Sequence, residues 1–187
     1  MQGHGRCLTL FLAFALLQYV QGGEVDQGQR DTNVTGRCIE KERKALLAFK
    51  RGLVDDYNLL SSWSSEAQKQ DCCRWIGVCC SNQTGHVIGL DLSYEVIGKD
   101  YLQGKMICPK LIELQHLQHL YLNEINFTGS QFPDFIGSLT SLRYLDLSWT
   151  YFGGKFPSQV GNLTNLVYLD LSAMFSICRK PLISFLN

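Results

Sequence analysis

Eight cysteines, two aspartates at equivalent places and a close pair of histidines are the residues of this 187-residue chain whose types and spacing could carry chemistry. Cys38, Cys72, Cys73, Cys79, Cys80, Cys108 and Cys178 follow an apolar leader that holds Cys7. Such thiols can ligate zinc or pair as disulfides. Structural zinc wants C-x-x-C pairs or a histidine at ligand spacing, and these clusters supply neither, so disulfides are the favoured reading. Neighbouring Cα atoms lie about 3.8 Å apart, short of the roughly 4.4–6.8 Å span of a disulfide, so Cys72 and Cys73 must each reach a different partner. Seven is odd, so at least one of these thiols is free, intermolecular or outside the pattern.

Asp146 and Asp170 occupy the same place in successive L-D-L-S units. On paired strands their backbones would lie about 4.8 Å apart, close to the roughly 5–5.5 Å carboxylate separation of retaining glycoside hydrolysis. A repeat places equivalent residues side by side by construction, however, and nothing in the pattern builds a cleft. His116 and His119 are three residues apart, yet no carboxylate or cysteine completes a metal set around them. The chain is therefore expected to be no enzyme, with no cofactor and no metal.

The compartment is read from the first residues. Arg6 precedes an apolar run from Leu8 to Leu17, and Val20 and Gly22 provide small residues for cleavage after Gly22. That is the layout of a secretory signal peptide over residues 1–22. Ten apolar residues are about half of the roughly 20 that a membrane-spanning helix needs, and no later stretch is longer. Disulfides suit an oxidising exterior. Four N-x-[ST] triplets, at Asn33, Asn82, Asn126 and Asn162, are glycosylation acceptors in such a chain. With 17 basic and 17 acidic residues the net charge is zero, which argues against a nucleic-acid partner.

The elements that must position these residues follow. Residues 23–37 are polar and aperiodic, a flexible lead. Ile39, Leu46, Phe49 and Leu53 share one helical face while Glu40, Lys41, Glu42 and Lys44 are expected to be solvated, so the spacing predicts a helix from Ile39 to about Leu53. A second short helical turn would carry Leu59, Leu60 and Trp63. From Val87 the chain repeats: L-x-L units begin at Leu90, Leu120, Leu145 and Leu169, in steps of 30, 25 and 24 residues. Leu114, Leu117, Leu120 and Leu122 show the full L-x-x-L-x-L spacing, as do the sets beginning at Leu139 and Leu163. That period and core are the leucine-rich-repeat signature. The L-x-L pair faces one side of a short strand, and leucines three apart turn the chain onto the same core. No repeat buries them alone, so repeats must stack into a solenoid with a parallel sheet on its inner face. The expected fold class is α/β, with residues 38–86 a cap, 87–172 about three to four repeats, and 173–187 an irregular tail.

Cys38 to Leu53, Ser62-Trp63, Asp71 to Trp75 and Gly77 to Cys80 resemble the N-terminal cap of plant leucine-rich-repeat receptor-like proteins, receptor kinases and polygalacturonase-inhibiting proteins. Phe152 to Gly154, Phe156-Pro157 and Gly161 to Leu163 are similar to the plant-specific repeat, as are Phe127 to Gly129, Phe132-Pro133 and Ile136-Gly137. The resemblance is closest to receptor-like proteins of pathogen recognition. It implies the disulfides Cys38–Cys72 and Cys73–Cys80, which would staple the cap. It leaves Cys79, Cys108 and Cys178 outside the pattern. The family's turn asparagine is replaced by Glu95, Ile125, Thr150 and Met174; Thr150 can supply part of its bonding, Ile125 and Met174 cannot. The segment Lys105 to Pro109 is one residue longer than the family's turn.

Strand residues that alternate with the buried leucines would face outward on the concave side. These are Gly89, Asp91 and Ser93, then His119, Tyr121 and Asn123, then Arg143, Tyr144, Asp146, Ser148 and Trp149, then Tyr168, Asp170 and Ser172. Aromatics beside hydrogen-bonding groups suit recognition. The resemblance implies an extracellular, apoplastic module that binds a peptide, protein or glycan ligand in defence or development, with a membrane co-receptor. A location at the cell membrane follows if the chain is a fragment of a longer receptor. The alternatives are an inhibitor of the polygalacturonase-inhibitor type or a truncated product without a function of its own, because few repeats and no closing cap follow.

Overall fold

Leucines that none of the repeats can bury alone find their core by coiling. The computed structural model describes residues 38–66, 71–98 and 101–174. The signal peptide, the polar lead, Asn33, Cys178 and residues 175–187 of the tail lie outside the described residues. Helix α1 (Glu40–Lys50) opens the cap and is followed by β1 (Leu53–Val54), a single 3-10 turn at Cys72–Arg74 and β2 (Val78–Cys80). The repeats supply β3 (Val87–Asp91), α2 (Tyr94–Ile97), β4 (Gln103–Gly104), β5 (His119–Tyr121), β6 (Tyr144–Asp146) and β7 (Tyr168–Asp170). Strands β2-β3-β5-β6-β7 form one sheet in that order. β2 runs antiparallel to β3, and every later pair is parallel.

Each coil is built alike. Leucines three apart close i to i+3 backbone hydrogen bonds: Leu114 to Leu111, Leu117 to Leu114, Leu142 to Leu139 and Leu166 to Leu163, at 2.9 to 3.1 Å. The chain then enters a strand whose central leucine points inward. Leu90, Leu120 and Leu145 lie in one register row and are fully buried, whereas Leu169 on the edge strand β7 is 43% exposed. On the far side of the core Phe127 and Phe152 stack with centroids 4.6 Å apart, and Phe132 meets Phe152 edge-on. Gly104 holds the preceding place in that column, and a Cβ there would fall inside the Phe127 ring.

The cap closes the other end. Trp63 and Trp75 stack at 5.4 Å, and the Trp63 indole donates to the Ile76 carbonyl at 2.8 Å. The Lys50 ammonium donates to the carbonyls of Leu60 and Trp63. Disulfides join Cys38 to Cys72 and Cys73 to Cys80, the pairing that the resemblance implies. Cys79 is disulfide-bonded as well, and Cys108 is free.

Three expectations need correction. The helix stops at Lys50; Leu53 pairs instead with Gly104 across the short antiparallel sheet. Residues Leu59 to Trp63 form hydrogen-bonded turns, not a helical turn. Glu42 is not solvated: it is 3% exposed and its carboxylate accepts from the Val87 amide at 2.7 Å and meets His86 Nδ1 at 2.8 Å. The cap helix is thus hydrogen-bonded to the first strand of the repeats. The repeat departures behave as their chemistry demands. The Thr150 hydroxyl donates to the Leu147 carbonyl at 2.6 Å, while Ile125 and Met174 are buried in apolar packing. Among the described residues no helix is long and apolar enough to cross a membrane.

Two substitutions test these contacts. Glu42→Ala strands the buried Val87 amide and is expected to lower stability in urea by about 1–3 kcal/mol, while exposed Lys44→Ala changes it by less than about 0.5 kcal/mol. Gly104→Ala forces the Phe127 ring aside and is expected to cost about 1–3 kcal/mol in the same measurement.

Candidate recognition surface

The parallel register aligns outward side chains into two rows. Gly89, His119, Tyr144 and Tyr168 form one; Asp91, Tyr121, Asp146 and Asp170 form the other. In the first row the rings of His119 and Tyr144 stack at 4.8 Å with planes 9° apart, and Tyr144 and Tyr168 stack at 6.5 Å. His119 also meets Tyr121 at 6.3 Å. Tyr168 is 45% exposed, on the open edge. Arg143 is exposed at the entry of β6, and its carbonyl accepts from the amides of Val167 and Tyr168.

The aspartates have a local task. One oxygen of Asp91, Asp146 and Asp170 accepts the amide two residues on, from Ser93 at 3.0 Å, Ser148 at 2.9 Å and Ser172 at 2.8 Å. The Ser148 hydroxyl adds a second bond to Asp146 at 2.7 Å. These bonds turn the chain out of each strand, as Asx turns do. At Asp170 the second carboxylate oxygen accepts from the Tyr168 hydroxyl at 3.5 Å. Asp146 and Asp170 are therefore turn residues in series, with no acid–base contact between them.

The row changes the titration of its members. Burial, and the charges of Asp91 and Asp146 with neighbouring Tyr144 and Tyr168, push the Tyr121 phenol up to about 12. Burial first, and Arg143 second, hold His119 below its ordinary 6.5. Its buried Nδ1 has no hydrogen-bond partner among the described residues, so an imidazolium would leave a buried N–H unanswered there. The Ser172 hydrogen bonds keep Asp170 below the ordinary carboxylate value.

The structure brings together His119, Tyr121, Tyr144, Asp146, Tyr168 and Asp170, with Arg143 at the margin. It separates others. Ser148 is buried at 7% in the Asp146 turn, and Asn123 holds the equivalent turn place after β5. Trp149 leaves the rows altogether and lines a lateral groove with Tyr101, Gln103, Glu124, Asn126 and Tyr151. That groove escapes a strand-based reading because its residues follow the turns. The signal for it is a second register: Glu124 and Trp149 hold one repeat place, Asn126 and Tyr151 the place two residues on. His116 and His119 diverge as well, His116 meeting His86 with tilted rings at 4.0 Å. Among the described residues the only three-ligand cluster is Cys38, Cys72 and Cys73, whose sulfurs are committed to disulfides. Asn82, Asn126 and Asn162 are exposed.

The histidine gives a direct check. His119 is expected to titrate below 6.5 when followed by its ring proton resonances, and Arg143→Gln is expected to raise the midpoint only partly, since burial is the larger cause. Because the folded state resists protonation, this residue's contribution to stability is complete above 6.5 and declines as pH falls below it.

Two family models match the chain: the leucine-rich-repeat N-terminal domain over residues 39–81 and the leucine-rich repeat over residues 141–163. Receptor-like protein EIX2 of Solanum lycopersicum is 49% identical over 125 residues, covering 64% of this chain and 12% of its own length. The structure of PEPR1 with AtPEP1 superposes with a TM-score of 0.63 at 27% identity, over 72% of this chain and 18% of that one. The Arabidopsis receptor kinase HAESA, solved with the peptide hormone IDA and the co-receptor SERK1, gives 0.58 at 31% identity, over 70% of this chain and 21% of that one. The chain thus spans about an eighth of the curated relative's length, and that eighth is a stapled cap followed by stacked repeats. Cap, repeat and relatives agree: this chain carries a leucine-rich-repeat N-terminal domain and a leucine-rich repeat, and it is similar to plant leucine-rich-repeat receptor-like proteins.

Proposed function

We propose that this chain is an extracellular recognition module of a plant receptor-like protein, acting in defence or development signalling together with a membrane co-receptor. Its ligand, a peptide, protein or glycan, lies along the open face of the parallel sheet. The observation that carries this reading is the continuous row of stacked rings, His119, Tyr144 and Tyr168, flanked by the row of Asp91, Tyr121, Asp146 and Asp170.

Physical reasons favour recognition over catalysis on this face. Rings locked against one another lose little freedom on binding and offer large contact areas with polar tips. Each aspartate is held by its own turn, so its remaining oxygen is a pre-positioned acceptor. The carboxylates suit a ligand with cationic or hydroxyl groups. PEPR1 and HAESA were solved with peptides, which supports a peptide as the first ligand class to try.

A phage-displayed random-peptide library selected on the secreted protein tests the reading. Enriched peptides are expected to carry Lys or Arg, and Tyr144→Ala with Tyr168→Ala is expected to weaken their binding about tenfold or more, the loss of one or two aromatic hot spots. Trp149→Ala, off the rows, is expected to leave it unchanged. Peptides that bind the double variant as tightly as the parent would sink the proposal for this face.

A further inference from the structure

The lateral groove lies apart from the proposed ligand face and carries its own chemistry. It is about 460 Å3 in volume, within the roughly 300–1,000 Å3 range of small-ligand sites. Three of its walls are aromatic, Tyr101, Trp149 and Tyr151, and three are polar, Gln103, Glu124 and Asn126. Tyr101 is 63% exposed and Trp149 52% exposed, so large ring faces meet solvent here. Trp149 and Tyr151 meet edge to face at 6.4 Å.

The register explains how these residues come together. Gln103 and Asn126 pair in a parallel bridge. The Phe127 amide donates to the Thr150 carbonyl at 2.8 Å, which sets Asn126 beside Tyr151; the Glu124 amide donates to Ser148 at 3.0 Å, which sets Glu124 beside Trp149. Glu124, Trp149 and Ala173 all have positive φ, so the left-handed backbone at Trp149 belongs to the repeat's turn. What is particular to this groove is the choice of side chains at those places and the positive φ of Tyr151, which Asn126 does not share.

Asn126 is the asparagine of an Asn126-Phe127-Thr128 acceptor triplet. Its Oδ1 accepts from the Thr128 amide at 2.8 Å, and its Nδ2 makes no hydrogen bond among the described residues. A glycan on that nitrogen would start within a groove of rings. The apolar C–H face of an N-acetylglucosamine ring matches an aromatic face, while its hydroxyl and acetamido groups find partners in Glu124 and Gln103. A tether raises the effective concentration of the sugar far above that of any free ligand, so even a shallow groove is filled.

We propose that this groove is a cradle for the chain's own N-glycan: the first N-acetylglucosamine on Asn126 packs against Trp149 and Tyr151. The glycan is installed by transfer from a lipid-pyrophosphate-linked oligosaccharide. The Asn126 nitrogen forms a bond to sugar C1, the C1–oxygen bond to the pyrophosphate breaks, the nitrogen loses one proton, and the lipid pyrophosphate leaves with the bonding pair. Once in place, the sugar covers exposed aromatic surface beside the ligand face and fixes the direction in which the glycan leaves the solenoid.

The three tryptophans make the test selective, because Trp63 and Trp75 are 2% and 4% exposed and an ionic quencher reads Trp149. The protein is secreted from plant cells, Asn126 occupancy is measured on its glycopeptides, and iodide quenching is followed before and after trimming to one N-acetylglucosamine. Expected results are an occupied Asn126 and a quenching constant about half that of Asn126→Gln, retained after trimming, because the first ring covers the open indole face. Thr128→Ala, which removes the acceptor but keeps the Asn126 turn, is expected to match Asn126→Gln. Asn82→Gln and Asn162→Gln are expected to leave the constant unchanged. An unoccupied Asn126, or equal quenching with and without its glycan, overturns the proposal. Binding of free N,N′-diacetylchitobiose to the parent with its Asn126 glycan in place, lost on adding Trp149→Ala, assigns the groove to an outside sugar and overturns the tethered occupant.

Discussion

A strand with one inward leucine between two outward neighbours has no stability of its own, and everything in this protein follows from how that leucine is covered. Leu90, Leu120 and Leu145 are sealed because a strand lies on each side of them in register, while Leu169 has a strand on one side only among the described residues and is partly open. Burying one row forces the register of the whole sheet, since a one-residue slip would turn every leucine outward. The same register then sets the outward rows without further instruction. The aromatic ladder is therefore a by-product of the core, and its spacing is that of the backbone hydrogen bonds.

The outward aspartates show how one residue can serve fold and surface together. Each uses an oxygen to hold the turn that ends its strand, which fixes the side chain. A carboxylate held this way presents an acceptor without an ordering cost at binding. The serine two residues on is the partner that holds the first oxygen of each.

At the cap end the same covering problem is solved by different chemistry. Two disulfides hold the loop that carries Trp75, and stacked Trp63 and Trp75 give the first coil an apolar neighbour. Glu42 then ties the cap helix to β3 by accepting the Val87 amide. A buried carboxylate is costly unless its partners are in place, so this contact couples the cap helix energetically to the first strand of the repeats.

Much of this was legible in the residues. Leucine spacing determined the coil, its period and the inward row, because each repeat must solve the same burial problem with local geometry alone. The cysteine cluster and Asp71 to Trp75 pointed to a cap by resemblance. Strand alternation identified His119, Tyr121, Tyr144, Asp146, Tyr168 and Asp170 as outward. What the pattern did not contain were contacts between residues far apart in sequence. Glu42 reads as a solvated helix residue until β3 is laid against it, 45 positions away. Leu53 continues an apolar helical face until Gly104 offers it a strand partner. Trp149 looks like a strand neighbour until the turn carries it sideways into a groove with Tyr101 and Asn126. Periodicity determines which side of its own element a residue faces; only the stacking of coils decides what stands opposite, because that depends on which distant segments the shared core draws together.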